Sequence, residues 1–274
     1  KDPHEVEARL QLPTLGKVPY LKENGLGFLS RKKSGQSPLV TNFNPKSHEA
    51  ESFRVLRTAL QYSHADKPPQ LLLVSSSFPQ EGKSTVAANM AISYAQRNDR
   101  VLLIDCDLKQ PAMHRIFEVA REPGLSDVLT GQRKTEDVVV RSATLEGLDL
   151  LPAGPSTPSP SDLLESRTMQ EVLTTLRDSY DIIVLDSAPL TGISDSLVLS
   201  RFVDGICLVV NRGQTPLDAL AKAVALLDQL EAPVLGVIYN DKTRRAHRIH
   251  EMGRYHYGYG YGVKAESRSQ KAEG

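Results

Sequence analysis

Cysteine is scarce in this chain, with two residues, Cys106 and Cys207, among 274. Two thiols cannot build a disulfide framework, and no Cys/His spacing resembles a structural zinc site. Both lie inside apolar runs and read as small buried hydrophobes of a reducing compartment. A surplus of either charge is missing as well. Lys plus Arg total 33 and Asp plus Glu total 33, so no global basic excess points to duplex nucleic acid or an acidic surface. Long apolar runs are also lacking. Stretches such as Val101-Leu102-Leu103-Ile104 fall far short of the roughly 18 residues that span a bilayer, and no signal peptide is visible. What is present, 40% hydrophobic and 24% charged residues, is close to the globular average and excludes wholesale disorder. The expectation is a soluble polypeptide. Its start at Lys1 rather than Met suggests a processed product or an excised fragment.

Residues 1–46 are rich in Pro, Gly, Lys and Ser and read as a lead-in or linker with one or two short elements. From Ser47 to about Ala65 the pattern is helical, with Phe53, Leu56 and Leu60 on one face and Lys67-Pro68-Pro69 as a stop. Apolar runs then recur at 71–74, 101–104, 148–151, 182–185, 206–210 and 234–238. Helical stretches separate many of them, clearest at 84–97, 162–177 and 216–230. Nearly continuous apolar strands alternating with helices predict an α/β fold, a mostly parallel sheet covered on both faces. Function in such folds gathers at the carboxyl ends of the strands. The domain organisation expected is a lead-in over 1–46, one nucleotide-handling domain over 47–241 and a flexible tail over 242–274.

The run 71–74 leads into Ser75-Ser76-Ser77-Phe78-Pro79-Gln80-Glu81-Gly82-Lys83-Ser84-Thr85 and then a helix. A strand, a tight loop, Gly-Lys-Ser and a helix form the arrangement that cradles a nucleotide's phosphates. Loop amides and the helix N-terminus attract negative charge. Lys83 is placed to reach the β- and γ-phosphates, and the Ser84 hydroxyl to complete a Mg²⁺ shell. Ser77, Gln80, Glu81, Gly82, Lys83, Ser84 and Thr85 are the candidate nucleotide contacts. Ser77 stands where the strict G-x-x-x-x-G-K-[ST] motif has its first glycine, so a chance Gly-Lys-Ser at a helix start is the competing reading.

Two acidic elements weigh against chance. Run 101–104 passes into Asp105-Cys106-Asp107, and run 182–185 into Asp186-Ser187-Ala188-Pro189. A lone strand-end Asp is ordinarily a helix cap or turn residue. Three beside a triphosphate need a cation between them, which implies ATP with Mg²⁺. Asp186 is expected to hold the metal through water. One of Asp105 and Asp107 should also face the metal while the other accepts a proton. Asp105 is the favoured base, Asp107 the metal-side carboxylate, and Lys83 completes the catalytic set.

These residues resemble the bacterial tyrosine kinases, P-loop autokinases that accompany exopolysaccharide and capsule synthesis. The family loop, S-S-x-x-P-x-E-G-K-S-T, is similar to the stretch ending at Thr85 and also lacks the first glycine. Its D-x-D-x-R-x-P element is similar to Asp105 through Pro111, with Lys109 in place of Arg, and its third element matches at Asp186. Glu51-x-x-Arg54-x-x-Arg57 resembles the helix that the family uses to build a homo-oligomeric ring. By pattern alone those three charges are an ordinary solvated face. Residues 10–19 resemble the segment that follows the last transmembrane helix in fused members.

Four of the nine tyrosines, Tyr255, Tyr257, Tyr259 and Tyr261, alternate with His or Gly near the end of the chain. They leave no apolar face for a core to bury and suit a flexible acceptor. A stacking tail for single-stranded nucleic acid is the competing reading, with Lys242, Arg244, Arg245, Arg248 and Arg254 before it. The resemblance implies an ATP-dependent protein-tyrosine autokinase that phosphorylates this cluster between subunits. It further implies a site at the cytoplasmic face of the inner membrane, a transmembrane co-polymerase module, fused or separate, and a cognate tyrosine phosphatase. No nucleic-acid partner is expected.

Partition and division-site ATPases, assembly switches without kinase activity, share the three nucleotide elements and are the alternative. They carry a signature lysine early in the loop, where this chain has Phe78. Asn211, Arg212 and Asn240 end late strands and are open to two readings, base contact or turn formation.

Overall fold

A computed structural model describes residues 3–19, 39, 45–63, 67–143, 145–191 and 194–241. Eight strands form one sheet: β1 (Thr14–Val18), β2 (Leu71–Ser76), β3 (Val101–Asp105), β4 (Val140–Arg141), β5 (Leu148–Leu151), β6 (Ile182–Asp186), β7 (Gly205–Asn211) and β8 (Val234–Asn240). Their spatial order is β1-β8-β7-β2-β6-β3-β5-β4. Every neighbouring pair runs parallel except the short β4 against β5. The architecture is that of a P-loop nucleoside-triphosphatase, as the strand-and-helix alternation predicts.

The longer helices are α2 (His48–Gln61), α3 (Lys83–Ala95), α8 (Arg167–Ser179) and α10 (Leu217–Gln229). The shorter ones are α1 (Pro3–Leu10), α4 (Met113–Phe117), α5 (Leu125–Leu129), α6 (Thr135–Val138), α7 (Pro160–Glu165) and α9 (Asp195–Leu199). All six residues of β2 and all five of β3 are buried, which requires cover on both faces of the sheet. Alternate residues of one strand then feed two separate cores, as the two-residue period of a strand demands. Leu71, Leu73, Leu102 and Ile104 pack with Met169, Leu173 and Leu176 of α8 and with Leu217, Leu220 and Leu227 of α10. Leu72, Val74, Val101 and Leu103 pack with Phe53, Leu56 and Leu60 of α2 and with Val86 and Met90 of α3.

Three features differ from the sequence expectation. The segment 1–46, read as a lead-in, supplies a strand to the sheet itself. β1 pairs in parallel with β8, and Leu15 and Val18 are buried. Thr-Leu-Gly-Lys-Val is too short and too mixed to show that alone. The helical stretch 162–177 is two helices, because Ser166 ends α7 and its hydroxyl then accepts from the Met169 N–H at 3.2 Å to cap α8. The short helices between β3 and β5 carry too few turns for a period to emerge. α2 begins as expected, with the Ser47 hydroxyl accepting from the Ala50 N–H at 3.0 Å. The basic and tyrosine-bearing segment 242–274 lies outside the described residues. Among those described, no helix is long and apolar enough to cross a membrane.

Candidate active site

The carboxyl ends of β2, β3 and β6, three adjacent parallel strands, deliver the motifs to one rim. The phosphate loop leaves β2 and turns at Gly82, whose φ of +98° is the left-handed conformation that glycine adopts without strain. α3 starts immediately afterwards at Lys83. No side chain caps this helix, so its first-turn amides keep their capacity for an anion. At the missing-glycine position, the Ser77 hydroxyl is buried and has no hydrogen-bond partner. The Ser77 carbonyl accepts from the backbone N–H of Thr191 at 3.3 Å and from its hydroxyl.

Glu81 braces the loop. One carboxylate oxygen accepts from the Phe78 N–H at 2.8 Å and the other from the Thr215 hydroxyl, while the Glu81 carbonyl accepts from Asn240 Nδ2 at 2.8 Å. Burial raises its pKa, with Thr215 opposing. Both oxygens are thus engaged within the protein, which leaves the backbone of Glu81 as the part able to serve a phosphate. Gln80 takes a positive φ of 62° in the same turn. Thr85 is the third residue of α3, and its carbonyl accepts from Asn89 Nδ2 at 2.9 Å.

The carboxylates converge on Lys83. Asp105 and Asp186 sit side by side across β3 and β6. Lys83 Nζ lies 3.1 Å from Asp107 Oδ2 and 3.4 Å from the Ser84 hydroxyl. Asp107 Oδ1 accepts from the Gln110 N–H at 2.9 Å. Asp105 Oδ2 accepts from the Ala112 and Met113 amides, each at 2.9 Å, and so anchors the start of α4, while its Oδ1 is buried and unpartnered. Both oxygens of Asp186 are buried without a partner.

Burial lifts Asp105 to about 6, against the pull of the Met113 and Ala112 amides. It lifts Asp186 to about 7, opposed by the Lys83 charge and aided by Asp105. For Lys83, burial works downward but is outweighed by Asp186, Asp107 and Asp105 together, so its pKa rises. The site is an anionic cup around one ammonium. Among the described residues no group of three or more His, Cys, Asp or Glu side chains is arranged to hold a metal by itself. The bare buried oxygens of Asp186 nevertheless fit a divalent cation, whose remaining ligands would come from neighbouring side chains and phosphate.

The other candidates fall elsewhere. On α2, Arg54 donates to Glu51 at 2.6 Å and to the Pro45 carbonyl at 2.7 Å, whereas Arg57 turns to the Ser93 carbonyl of α3. Burial, then the charge of Arg97, lowers the Arg57 pKa. Asn211 donates to Gln214 at 2.6 Å, and Arg212 reaches Asp241 at 3.4 Å. Thr191 and Thr215 escaped the sequence reading. A threonine carries no motif, and each meets the loop across more than a hundred residues of chain.

A family model described as an AAA domain matches residues 80–232. The tyrosine-protein kinase YwqD of Bacillus subtilis is 34% identical over 220 residues, which is 79% of this chain and 92% of that protein. This chain belongs to the bacterial tyrosine kinases. Against the Escherichia coli tyrosine-protein kinase Etk, this family member is 30% identical over 82% of its own length but covers only 31% of Etk. Among solved structures, the BceF tyrosine kinase domain aligns with a TM-score of 0.80 at 31% identity. That alignment covers 89% of this chain and 99% of that one. A kinase domain of this family thus stands alone in some relatives and forms a third of a longer chain in others.

Proposed function

We propose that the chain is an ATP-dependent protein-tyrosine autokinase whose acceptors are Tyr255, Tyr257, Tyr259 and Tyr261. The carrying observation is Lys83 at the foot of α3, 3.1 Å from Asp107 and beside the bare carboxylate of Asp186. Phosphoryl transfer relies on positioning and charge neutralisation more than on covalent catalysis. Lys83 draws charge from the γ-phosphate, and the loop amides hold its neighbours. Asp186, Asp107 and the Ser84 hydroxyl are the groups that would hold Mg²⁺, which would supply neutralisation of phosphate charge. The phenol oxygen forms the new bond to phosphorus as the bond to the β–γ bridging oxygen breaks, and ADP leaves. The phenol's proton passes to a carboxylate. Asp105, lifted to about 6, is a stronger base than an ordinary Asp, for which the pKa is about 3.9.

The same reading makes Glu51, Arg54 and Arg57 parts of a contact between copies, so that each chain presents its tail to a neighbour. The much longer Etk, of which this chain covers 31%, supports a further module on or beside this chain; the family resemblance makes that module membrane-spanning, with work at the cytoplasmic face of the membrane in exopolysaccharide polymerisation and export. A tyrosine phosphatase then resets the tail. The test mixes two variants, a Lys83→Met chain with an intact tail and an active chain truncated after Asp241. With ATP and Mg²⁺, mass spectrometry should find phosphotyrosine in the 255–261 peptide of the Lys83→Met chain, and none when that chain is alone. Phosphate release with every tail unmodified defeats the proposal and favours an assembly ATPase.

A further inference from the structure

Lys109 occupies the loop between Asp107 and α4, and its partner lies on the other acidic strand's continuation. Its Nζ is 3.0 Å from Oδ1 of Asp195, the first residue of α9, and 3.4 Å from the Ser161 hydroxyl of α7. The Ser161 hydroxyl donates to the same Oδ1. Asp195 is fully buried, and its Oδ2 has no partner. One oxygen therefore takes two donors while the other, equally buried, takes none. A half-satisfied buried carboxylate is costly and must be held by whatever cation it has.

The two ends of this pair connect to different parts of the site. On the Lys109 side, residues 105–113 are strapped down by Asp107 to the Gln110 amide and by Asp105 to the Ala112 and Met113 amides. On the Asp195 side, the hydroxyl of the next residue, Ser196, donates to the Ala188 carbonyl and lies 3.0 Å from the Ser187 hydroxyl. Ser187 reaches the Val74 carbonyl at 3.1 Å, and Ser75 reaches the Ala188 carbonyl at 2.9 Å. The Lys109–Asp195 pair thus links the loop bearing Asp105 and Asp107 to the turn after Asp186 and, through it, to β2 ahead of the phosphate loop.

We propose that Lys109 is a positioning residue, a latch that fixes the two acidic strand ends relative to each other, and that lysine closes this latch only in part. A guanidinium presents a planar fork that can serve both oxygens of one carboxylate, whereas an ammonium acts as a point charge. Lys109→Arg should therefore close it more firmly, by supplying Oδ2.

The catalytic half of the test rests on the kinase reading, so the first readout does not use activity. Hydrogen exchange is measured on the protein without nucleotide or metal. Lys109→Met should speed exchange of the Gln110, Ala112 and Met113 amides, leave β2 amides unchanged, and Lys109→Arg should slow exchange to parental rates or below. The second readout is phosphotyrosine formation. Lys109→Met should lower kcat by roughly tenfold or more, as small displacements of catalytic groups do, with the KM for ATP within about twofold, and Lys109→Arg should restore kcat. If the parent forms no phosphotyrosine yet exchange follows the pattern, the kinase reading fails and the latch stands. Exchange of those three amides unaltered in Lys109→Met overturns the latch, whatever the activity. Faster exchange with kcat unchanged reduces Lys109 to a merely structural role and overturns the positioning claim.

Discussion

Asp186 is buried at the end of β6 with both oxygens bare, and its pKa is lifted to about 7. A carboxylate whose folded pKa exceeds its unfolded value of about 3.9 binds its proton more readily in the folded chain. Its contribution to stability is present at low pH and is lost as pH rises through the window between those two values. Asp105, at about 6, works in the same direction. The melting temperature of metal- and nucleotide-free protein should therefore fall between about pH 4 and about pH 7. Asp186→Asn should flatten that fall and raise the melting temperature by several degrees at the upper end. Thermal unfolding followed by circular dichroism checks both, and an Asn variant as pH-sensitive as its parent contradicts the assignment. Legibility at this scale follows the motifs. Lys83, Asp105, Asp107 and Asp186 could be brought to one rim from the sequence because each follows an apolar run at a short spacing from a strand end. Thr191, Thr215 and Ser161 do not show, because a hydroxyl that braces a loop from far along the chain has no spacing to betray it.

Among the elements, β1 tests how far the sheet depends on its edge. Where it runs beside β8, Gly236 has φ +149°, and a Cβ there would come within 2.3 Å of the Pro13 carbonyl oxygen. That neighbour is backbone and cannot swing aside. Gly236→Ala should destabilise the chain by about 1–3 kcal/mol, the usual cost of overpacking, measured as a lower midpoint in urea. Removing residues 3–19 should go further, because it uncovers the β8 edge as a template for association; light scattering on warming reports it. On α2, Arg57 spans to the last turn of α3. Its hydrogen bond to Ser93 carries charge but is partly exposed, so Arg57→Ala should cost about 1 kcal/mol in the same urea measurement. The apolar strands and long helices are legible because burial dictates their pattern. The break at Ser166 is not, since a serine both ends one helix and starts the next without disturbing the apolar period around it.

At the scale of the molecule, the alternation of strands and helices declares a parallel sheet, but not its order. That β2 lies between β6 and β7 is decided by crossovers and packing, and no local pattern records it. The order has one mechanical result. β8 finishes at the rim of the candidate site, where Asn240 holds the Glu81 carbonyl, so the chain beyond Asp241 starts from that rim. Tyr255 is 14 residues beyond Asp241 (255 − 241), which at about 3.3–3.6 Å per residue gives a leash of up to about 50 Å. If the tail tyrosines are the acceptors, as proposed, acceptor choice is a matter of length. Deleting residues 242–249 shortens the leash to about 20 Å and should abolish phosphorylation of the shortened tail by a neighbouring copy, with ATP turnover intact. A Gly/Ser insert of equal length should bring labelling back, showing that distance, and not the arginines lost with the deletion, governs which hydroxyl arrives.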